Sequence, residues 1–208
     1  TMIAGNTFDY AFVHGSAIAS SYSFVSCSRK SVENGSVNLS KYPMVDIILG
    51  LQKRTRHSFK DYKTLNGQMR SKLASYLSGG GALLVSGAYV GSDMSSSQER
   101  SFLAQTLHCV HGGNLREKTS IAGAEEKFYI EQELGHETYA VQSVDRIKPA
   151  NGSQSIFKYS DGSSAGVLYQ GANSRCATLG FPLESIKDKK VLANIMLKLA
   201  KTLAKDNQ

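Results

Sequence analysis

Ser78-Gly79-Gly80-Gly81-Ala82-Leu83-Leu84-Val85-Ser86-Gly87-Ala88-Tyr89-Val90-Gly91-Ser92-Asp93 is the stretch on which the reading of the fold depends. The glycines stop a preceding helix, because glycine adopts the helix-ending backbone conformation that other residues resist. Ala82 to Val85 is a short apolar run bounded by turn formers, the pattern of a buried strand. Ser86-Gly87-Ala88 then makes a sharp turn, and a second helix is expected from about Ser96 to Val110. Helix, glycine stop, buried strand, tight turn and helix is the order of an open α/β sheet. Ligands of such sheets bind beyond the carboxyl ends of the strands, so Ser86 to Asp93 is the first place to look for a site.

Upstream, Met44-Val45-Asp46-Ile47-Ile48-Leu49 is a second apolar run. Its unbroken character predicts a parallel neighbour of Ala82–Val85 in the sheet centre, buried on both faces. Asn66 is a helix N-cap, and Met69, Leu73, Tyr76 and Leu77 fall on one helical face that ends at Gly79. Tyr22 to Ser26 has strand composition, Ser31 to Gly35 suits a short helix or turn, and residues 1 to 20 read as an ordered loop. No good opening strand precedes Tyr22, which predicts one upstream of Thr1.

Downstream, Ser96 and Glu99 form a capping box ahead of Phe102, Leu103, Leu107 and Val110. From residue 111 the character changes. Lys127–Glu133, Thr138–Ser143, Ser155–Tyr159, Ala165–Tyr169 and Arg175–Leu179 read as strands, separated by Asn151-Gly152, Asp161-Gly162 and Gly171-Ala172-Asn173. They predict an antiparallel extension of a parallel sheet. Asp188 caps a last helix whose Val191, Ile195, Leu199 and Leu203 recur at four-residue spacing. With no repeat or linker in 208 residues, one domain is expected over 1–208, as a fragment of a larger multidomain protein.

The chain carries a net charge of +7 and no apolar run of membrane-spanning length. Charge of this sign favours an anionic partner, such as an acidic polysaccharide or a cell-wall glycan. No aromatic–arginine motif of a nucleic-acid reader is present, so nucleic acid is not expected as the partner. Cys27, Cys109 and Cys176 are far apart and make no redox or zinc pattern; Cys27 and Cys176 sit in strand-like apolar contexts. His108-Cys109-Val110-His111 has metal-like composition, but its spacing suits a helix end and no second cluster completes a ligand set. No metal and no cofactor is expected.

Ser86 invites comparison with a nucleophile elbow, yet the apex falls at Ala88 or Tyr89, and the sequence nominates no base. Glu131 with Glu133 would share one strand face, where a solvated surface is the plainer reading. His57 and His136 carry no motif, and His14, in an aromatic stretch, reads as a satisfied structural histidine.

In combination, Phe8 to Ile18, Tyr42 to Gln52, Gly80 to Asp93 and Leu179-Gly180-Phe181-Pro182-Leu183-Glu184 resemble a domain of large secreted Bacteroides-type proteins labelled as xanthan lyases. More distantly the layout is similar to class I glutamine amidotransferase-like domains. The resemblance implies a three-layer α/β/α flavodoxin-like fold, a secreted or periplasmic setting and neighbouring domains as partners. An amidotransferase would carry Cys at the elbow and a His-x-Glu pair after the last strand; here Ala88 or Tyr89 and Phe181 to Glu184 stand there. Gln52 falls near the oxyanion loop of that fold. The expectation is therefore a non-catalytic binding or scaffolding module with no catalytic residues, and a crevice lined by Gln52, Ser86, Tyr89, Asp93 and Glu184. The backbone N–H groups of the Ser86 turn would face that crevice. The alternative is a polysaccharide lyase or hydrolase recruiting Tyr89, His14, Lys53 and Arg54.

Overall fold

The computed structural model describes residues 10–54, 63, 65–134 and 138–204. His57 and His136 lie outside the described residues. The elements run α1 (Tyr10–Ile18), α2 (Arg29–Glu33), β1 (Met44–Gly50), α3 (Gly67–Ser78), β2 (Ala82–Gly87), α4 (Ser97–Gln105), β3 (Cys109–Leu115), β4 (Ser120–Gly123), β5 (Glu126–Tyr129), β6 (Val144–Pro149), β7 (Gln154–Tyr159), β8 (Ser164–Gln170), β9 (Arg175–Leu179) and α5 (Lys189–Ala204).

Local chemistry sets most helix ends. The Asn66 carboxamide accepts from the Met69 N–H at 2.9 Å, and Gly79 closes α3 by donating to the Ser75 carbonyl. Ser96 and Glu99 complete both halves of the capping box on α4. Asp188 accepts from Lys190 and Val191 at the head of α5, whose Ile195, Leu199 and Leu203 are buried. Gly81 has a further role. A Cβ there would lie 2.4 Å from the Tyr76 ring, whose hydroxyl donates to the Tyr42 carbonyl at 2.9 Å.

Seven strands form one sheet in the order β1-β2-β9-β8-β7-β4-β5, and β3 pairs with β6 in a separate two-stranded ribbon. Only β1–β2 and β2–β9 are parallel; the pairings β9–β8, β8–β7, β7–β4 and β4–β5 are antiparallel. This corrects the expected flavodoxin-like three-layer sandwich with a mainly parallel centre. The sheet is mixed. After α4 the chain does not add another strand–helix unit. Instead His111-Gly112-Gly113-Asn114 lies within β3, which turns away to pair with β6, and hairpins build the rest of the sheet. On one face Leu83, Val85, Val167 and Cys176 meet α3, α4 and the ribbon residues Cys109 and Ile147. On the other, Ala82, Leu84, Ala177 and Leu179 pack on α5, with Phe128, Phe157 and Phe181 in mutual edge and tilted contacts.

β1 is indeed the parallel neighbour of β2, but it ends the strand order, and its first five residues are only half-buried. The central position expected for it is therefore wrong. The apolar residues of β1 record packing on both faces, with Met44 against one cluster and Val45 and Ile47 against the other, and say nothing of neighbours on both edges. Residues 10–18 are a helix rather than a loop; Tyr10-Ala-Phe-Val-His-Gly-Ser-Ala-Ile is apolar on nearly every side, so no 3.6-residue period shows. Residues 22–28 and 138–143 are not strands, and Cys27 is exposed. The helix expected to reach Val110, α4, stops at Gln105 with Thr106 as its C-cap, and His108 then takes a positive φ of 52° just before β3.

Candidate functional site

The chain leaving β1 and the chain leaving β2 emerge side by side, since the strands are parallel and paired from Met44–Ala82 to Gly50–Gly87, with one register shift between Ile48 and Gly50. Between them, with the end of β3 and the approach to β6, lies an open cleft of about 470 Å³. Its walls are Lys53, Arg54, Tyr89, Ser92, Asp93, Asn114, Arg116, Gln142 and Ser143. The Lys53 ammonium sits 4.2 Å from the centre of the Tyr89 ring, a cation–π contact that holds the lysine over the rim. Asp93 accepts from the Arg54 N–H at 2.9 Å and so ties the two chain exits together. Beneath them the Lys63 ammonium donates to the Asp93 carbonyl at 2.6 Å and to Glu99. Burial by itself would raise the Glu99 carboxyl, but the Ser96 N–H and Lys63 hold it down at about 2, so this brace stays charged at any neutral pH.

Of the residues nominated for the crevice, Tyr89 and Asp93 line this cleft, and Lys53 and Arg54, nominated for the lyase alternative, line it too. Gln52, Ser86 and Glu184 do not line this cleft. Gln52 is exposed, with its N–H on the Leu49 carbonyl. Asn114, Arg116, Gln142 and Ser143 come from segments with no motif, and only the pairing of β3 with β6 delivers them.

The backbone N–H groups of the turn after β2 were expected to face a ligand. They do not. The Asp145 carboxylate, fully buried, accepts from the Gly91 and Ser92 N–H groups at 2.7 Å each and from the Asn114 amide at 2.6 Å. His111 Nε2 lies 3.5 Å away. Asp145 is itself fixed by the residue that follows β9: its N–H donates to the Gly180 carbonyl, and a Cβ on Gly180 would lie 2.0 Å from the Asp145 carbonyl oxygen. The natural anion seat of the turn is filled by the protein's own carboxylate. No sequence motif marks Asp145, which stands 54 residues from Gly91.

Glu184 and Ser86 lie on the α1–α5 side of the sheet. His14 bridges two carboxylates, Asp46 Oδ2 at 2.6 Å through Nδ1 and Glu184 Oε2 at 3.2 Å through Nε2. The Tyr139 hydroxyl donates to Glu184 Oε1 at 2.6 Å. His14 is 3% exposed and Glu184 1%, so neither can reach a ligand from solvent. Burial alone would lower the His14 pKa, but Asp46 and Glu184 outweigh it and raise it to about 10. An imidazolium that donates through both nitrogens is no general base and offers no lone pair to a metal. Among the described residues no group of three histidine, cysteine or acidic side chains is arranged to hold a metal ion.

Ser86 is fully buried, and its hydroxyl has no hydrogen-bond partner among the described residues. Ser86→Ala is expected to leave stability unchanged or raise it by up to about 1 kcal/mol, since an unpaired buried hydroxyl carries a desolvation cost. Urea denaturation of both proteins checks this; a loss above about 1 kcal/mol would reveal a bonded hydroxyl. Of the remaining candidates, Glu131 is buried off any strand face and accepts from the Glu133 N–H. His108 stacks on Tyr169. The Cys109 and Cys176 thiols are buried, and burial pushes the Cys176 thiol up to about 12. No helix of the described residues is long and apolar enough to cross a membrane.

No family profile and no curated protein matches the sequence. Solved structures do. An exo-β-1,4-mannosidase from Opitutaceae bacterium strain TAV5 superposes with a TM-score of 0.61 at 14% identity, over 94% of this chain and 31% of the enzyme. A β-galactosidase from Bacillus circulans sp. alkalophilus gives 0.51 at 12% identity, over 80% of this chain and 23% of the other. A cytoplasmic protein of Salmonella typhimurium LT2 gives 0.58 at 10% identity, over 91% and 86%. The chain spans about a third or less of the two glycosidases. At these identities the similarity shows the fold alone.

Proposed function

We propose that this chain is a non-catalytic binding or scaffolding module of a secreted polysaccharide- or cell-wall-active protein, and that its cleft takes an acidic glycan. The observation that carries the reading is the cleft wall. Lys53, Arg54 and Arg116 converge with the neutral hydrogen-bonding side chains of Ser92, Asn114, Gln142 and Ser143. Cations suit the acid groups of such a polymer and the amides and hydroxyls suit its hydroxyls. A fold shared with domain-sized portions of a mannosidase and a β-galactosidase fits that setting. The non-catalytic part rests on Asp145, which occupies the N–H groups a covalent mechanism would aim at an oxyanion.

The test incubates the purified protein with xanthan, peptidoglycan fragments and DNA. Co-sedimentation reports binding and ultraviolet absorbance reports unsaturated lyase products. Binding to an acidic glycan is expected, weakened by salt and reduced about tenfold or more by Arg116→Ala, with no rise in absorbance. A steady rise abolished by Tyr89→Phe would replace this reading with the lyase alternative. Retention of DNA alone would overturn it.

A further inference from the structure

We infer that Asn34 is a site of spontaneous covalent modification, at which the carboxamide closes on the Gly35 backbone nitrogen and is hydrolysed to aspartate and isoaspartate. Three asparagines of this chain precede glycine: Asn34, Asn66 and Asn151. Glycine is the successor that leaves its backbone nitrogen most open to such a closure, since it has no Cβ to obstruct it and moves freely in φ and ψ. By sequence the three sites are alike. By structure they are not.

Asn66 is held at both ends of its carboxamide. Its Oδ1 accepts from the Met69 N–H at 2.9 Å, and its Nδ2 donates to Glu33 at 2.7 Å. Closure there would have to break the cap of α3. Asn151 is exposed, but its Nδ2 donates to the Ala104 carbonyl at 2.7 Å and its own carbonyl accepts from the His108 ring. Both contacts hold it in the left-handed conformation, with φ of 48°.

Asn34 is the C-cap of α2 and is exposed together with Gly35 and Ser36. Its Oδ1 accepts from the Ser36 N–H at 3.0 Å. That bond folds the carboxamide back over the Gly35 peptide, which is the attacking group, and draws electrons from Cγ, which is the atom attacked. Among the described residues no hydrogen bond holds Nδ2, the group that leaves. A Cβ on Gly35 would meet nothing within 4 Å, so the chain has room to turn into the reactive geometry. One restraint opposes it. The Gly35 N–H donates to the Val32 carbonyl at 3.2 Å, a bond at the end of a five-residue helix, where fraying releases it.

In the closure the Gly35 nitrogen bonds to Asn34 Cγ, the Cγ–Nδ2 bond breaks, and the nitrogen's proton leaves on the departing ammonia. Water then opens the cyclic imide at either carbonyl, giving aspartate or isoaspartate. Nothing is oxidised or reduced, and the net charge falls by one from +7. None of these residues lines the cleft, so the change is independent of how the cleft is read.

The test keeps the unaltered protein folded in mildly alkaline buffer at body temperature and follows each site by peptide mapping, with fragmentation that separates isoaspartate from aspartate. A parallel sample is held in urea. Asn34 is expected to convert several-fold faster than Asn66 or Asn151 in the folded protein, and more acidic species should accumulate on cation exchange as it does. In urea the three rates should draw together. Asn34→Gln, whose longer side chain closes a ring far less readily, should lose those acidic species. Equal rates at the three sites in the folded protein would overturn the inference, as would a lead by Asn66 or Asn151. So would an unchanged Asn34 in the folded sample over a period in which the urea sample converts.

Discussion

Glu184→Ala is expected to cost about 3–5 kcal/mol of folding stability, the range found when one partner of a buried ion pair is removed. Glu184 is 1% exposed and takes hydrogen bonds from both His14 and Tyr139. Its loss leaves the Tyr139 hydroxyl without that acceptor and leaves the His14 imidazolium facing Asp46 alone. Glu184→Gln keeps an oxygen for Tyr139 and should lose less. Urea denaturation with an unchanged slope would report the difference. The same cluster sets a pH dependence. The His14 pKa is raised from 6.5 to about 10 in the folded protein, so the charged imidazole is favoured by folding. Its contribution is complete below the unfolded pKa of 6.5, declines as pH rises, and is gone above about 10. The native protein should therefore lose stability across that window, and His14→Gln should flatten the slope. A Glu184→Ala protein as stable as the parent, or an unchanged slope in His14→Gln, would show that the three side chains do not act as one charged unit.

Asp145→Ala should be the other severe substitution. Its carboxylate satisfies the buried Gly91 N–H, the half-buried Ser92 N–H and the amide of the exposed Asn114, and a buried donor left without a partner costs about 1–3 kcal/mol. A total loss above about 2 kcal/mol is expected, because the Asp145 side chain is fully enclosed and water would have to enter the space it leaves. The effect should also reach the cleft, since Ser92 and Asn114 are cleft residues as well as partners of Asp145. Asp145→Asn tests the charge separately. It preserves shape and one acceptor, so it should fold with a smaller loss. Glycan binding is the second readout: a variant that folds well but binds weakly would place Asp145 as the support of that wall. A mild loss in Asp145→Ala with unchanged binding would show the turn to be stable without its internal anion.

The contrast between these two clusters explains what was legible beforehand. Tyr89, Asp93, Lys53 and Arg54 could be nominated because they follow apolar runs, and chain leaving parallel strands collects at one edge. Glu184 and Ser86 were placed in the crevice on the same logic and are not there. Glu184 sits in a short turn (Leu183–Ser185) and is buried against His14 and Tyr139, beside Gly50, whose missing side chain leaves room for it. Arg116, Gln142 and Asn114 had no signal, because the ribbon of β3 and β6 joins segments some thirty residues apart.

The caps of α3, α4 and α5, several turns and the parallel pairing of β1 with β2 follow from the sequence alone, whereas the parallel place of β9 beside β2 does not. Asn66, Ser96 with Glu99, and Asp188 each bond to N–H groups two to four residues away, so their partners are given by chain geometry. Asn151 and Gly152 adopt positive φ values in the tight turn that takes the chain from β6 of the ribbon to β7 of the main sheet, and these residues tolerate them. Strand order, the change from parallel to antiparallel, the edge position of β1 and the burial of His14 and Asp145 were decided only in the tertiary structure. Each depends on pairing or desolvation between segments remote in sequence: His14 with Glu184 across 170 residues, Gly91 with Asp145 across 54. An apolar strand can satisfy its main chain equally well beside several neighbours, and a carboxylate is equally at home in water. What selects among those alternatives is the sum of contacts that exist only after the chain has closed on itself.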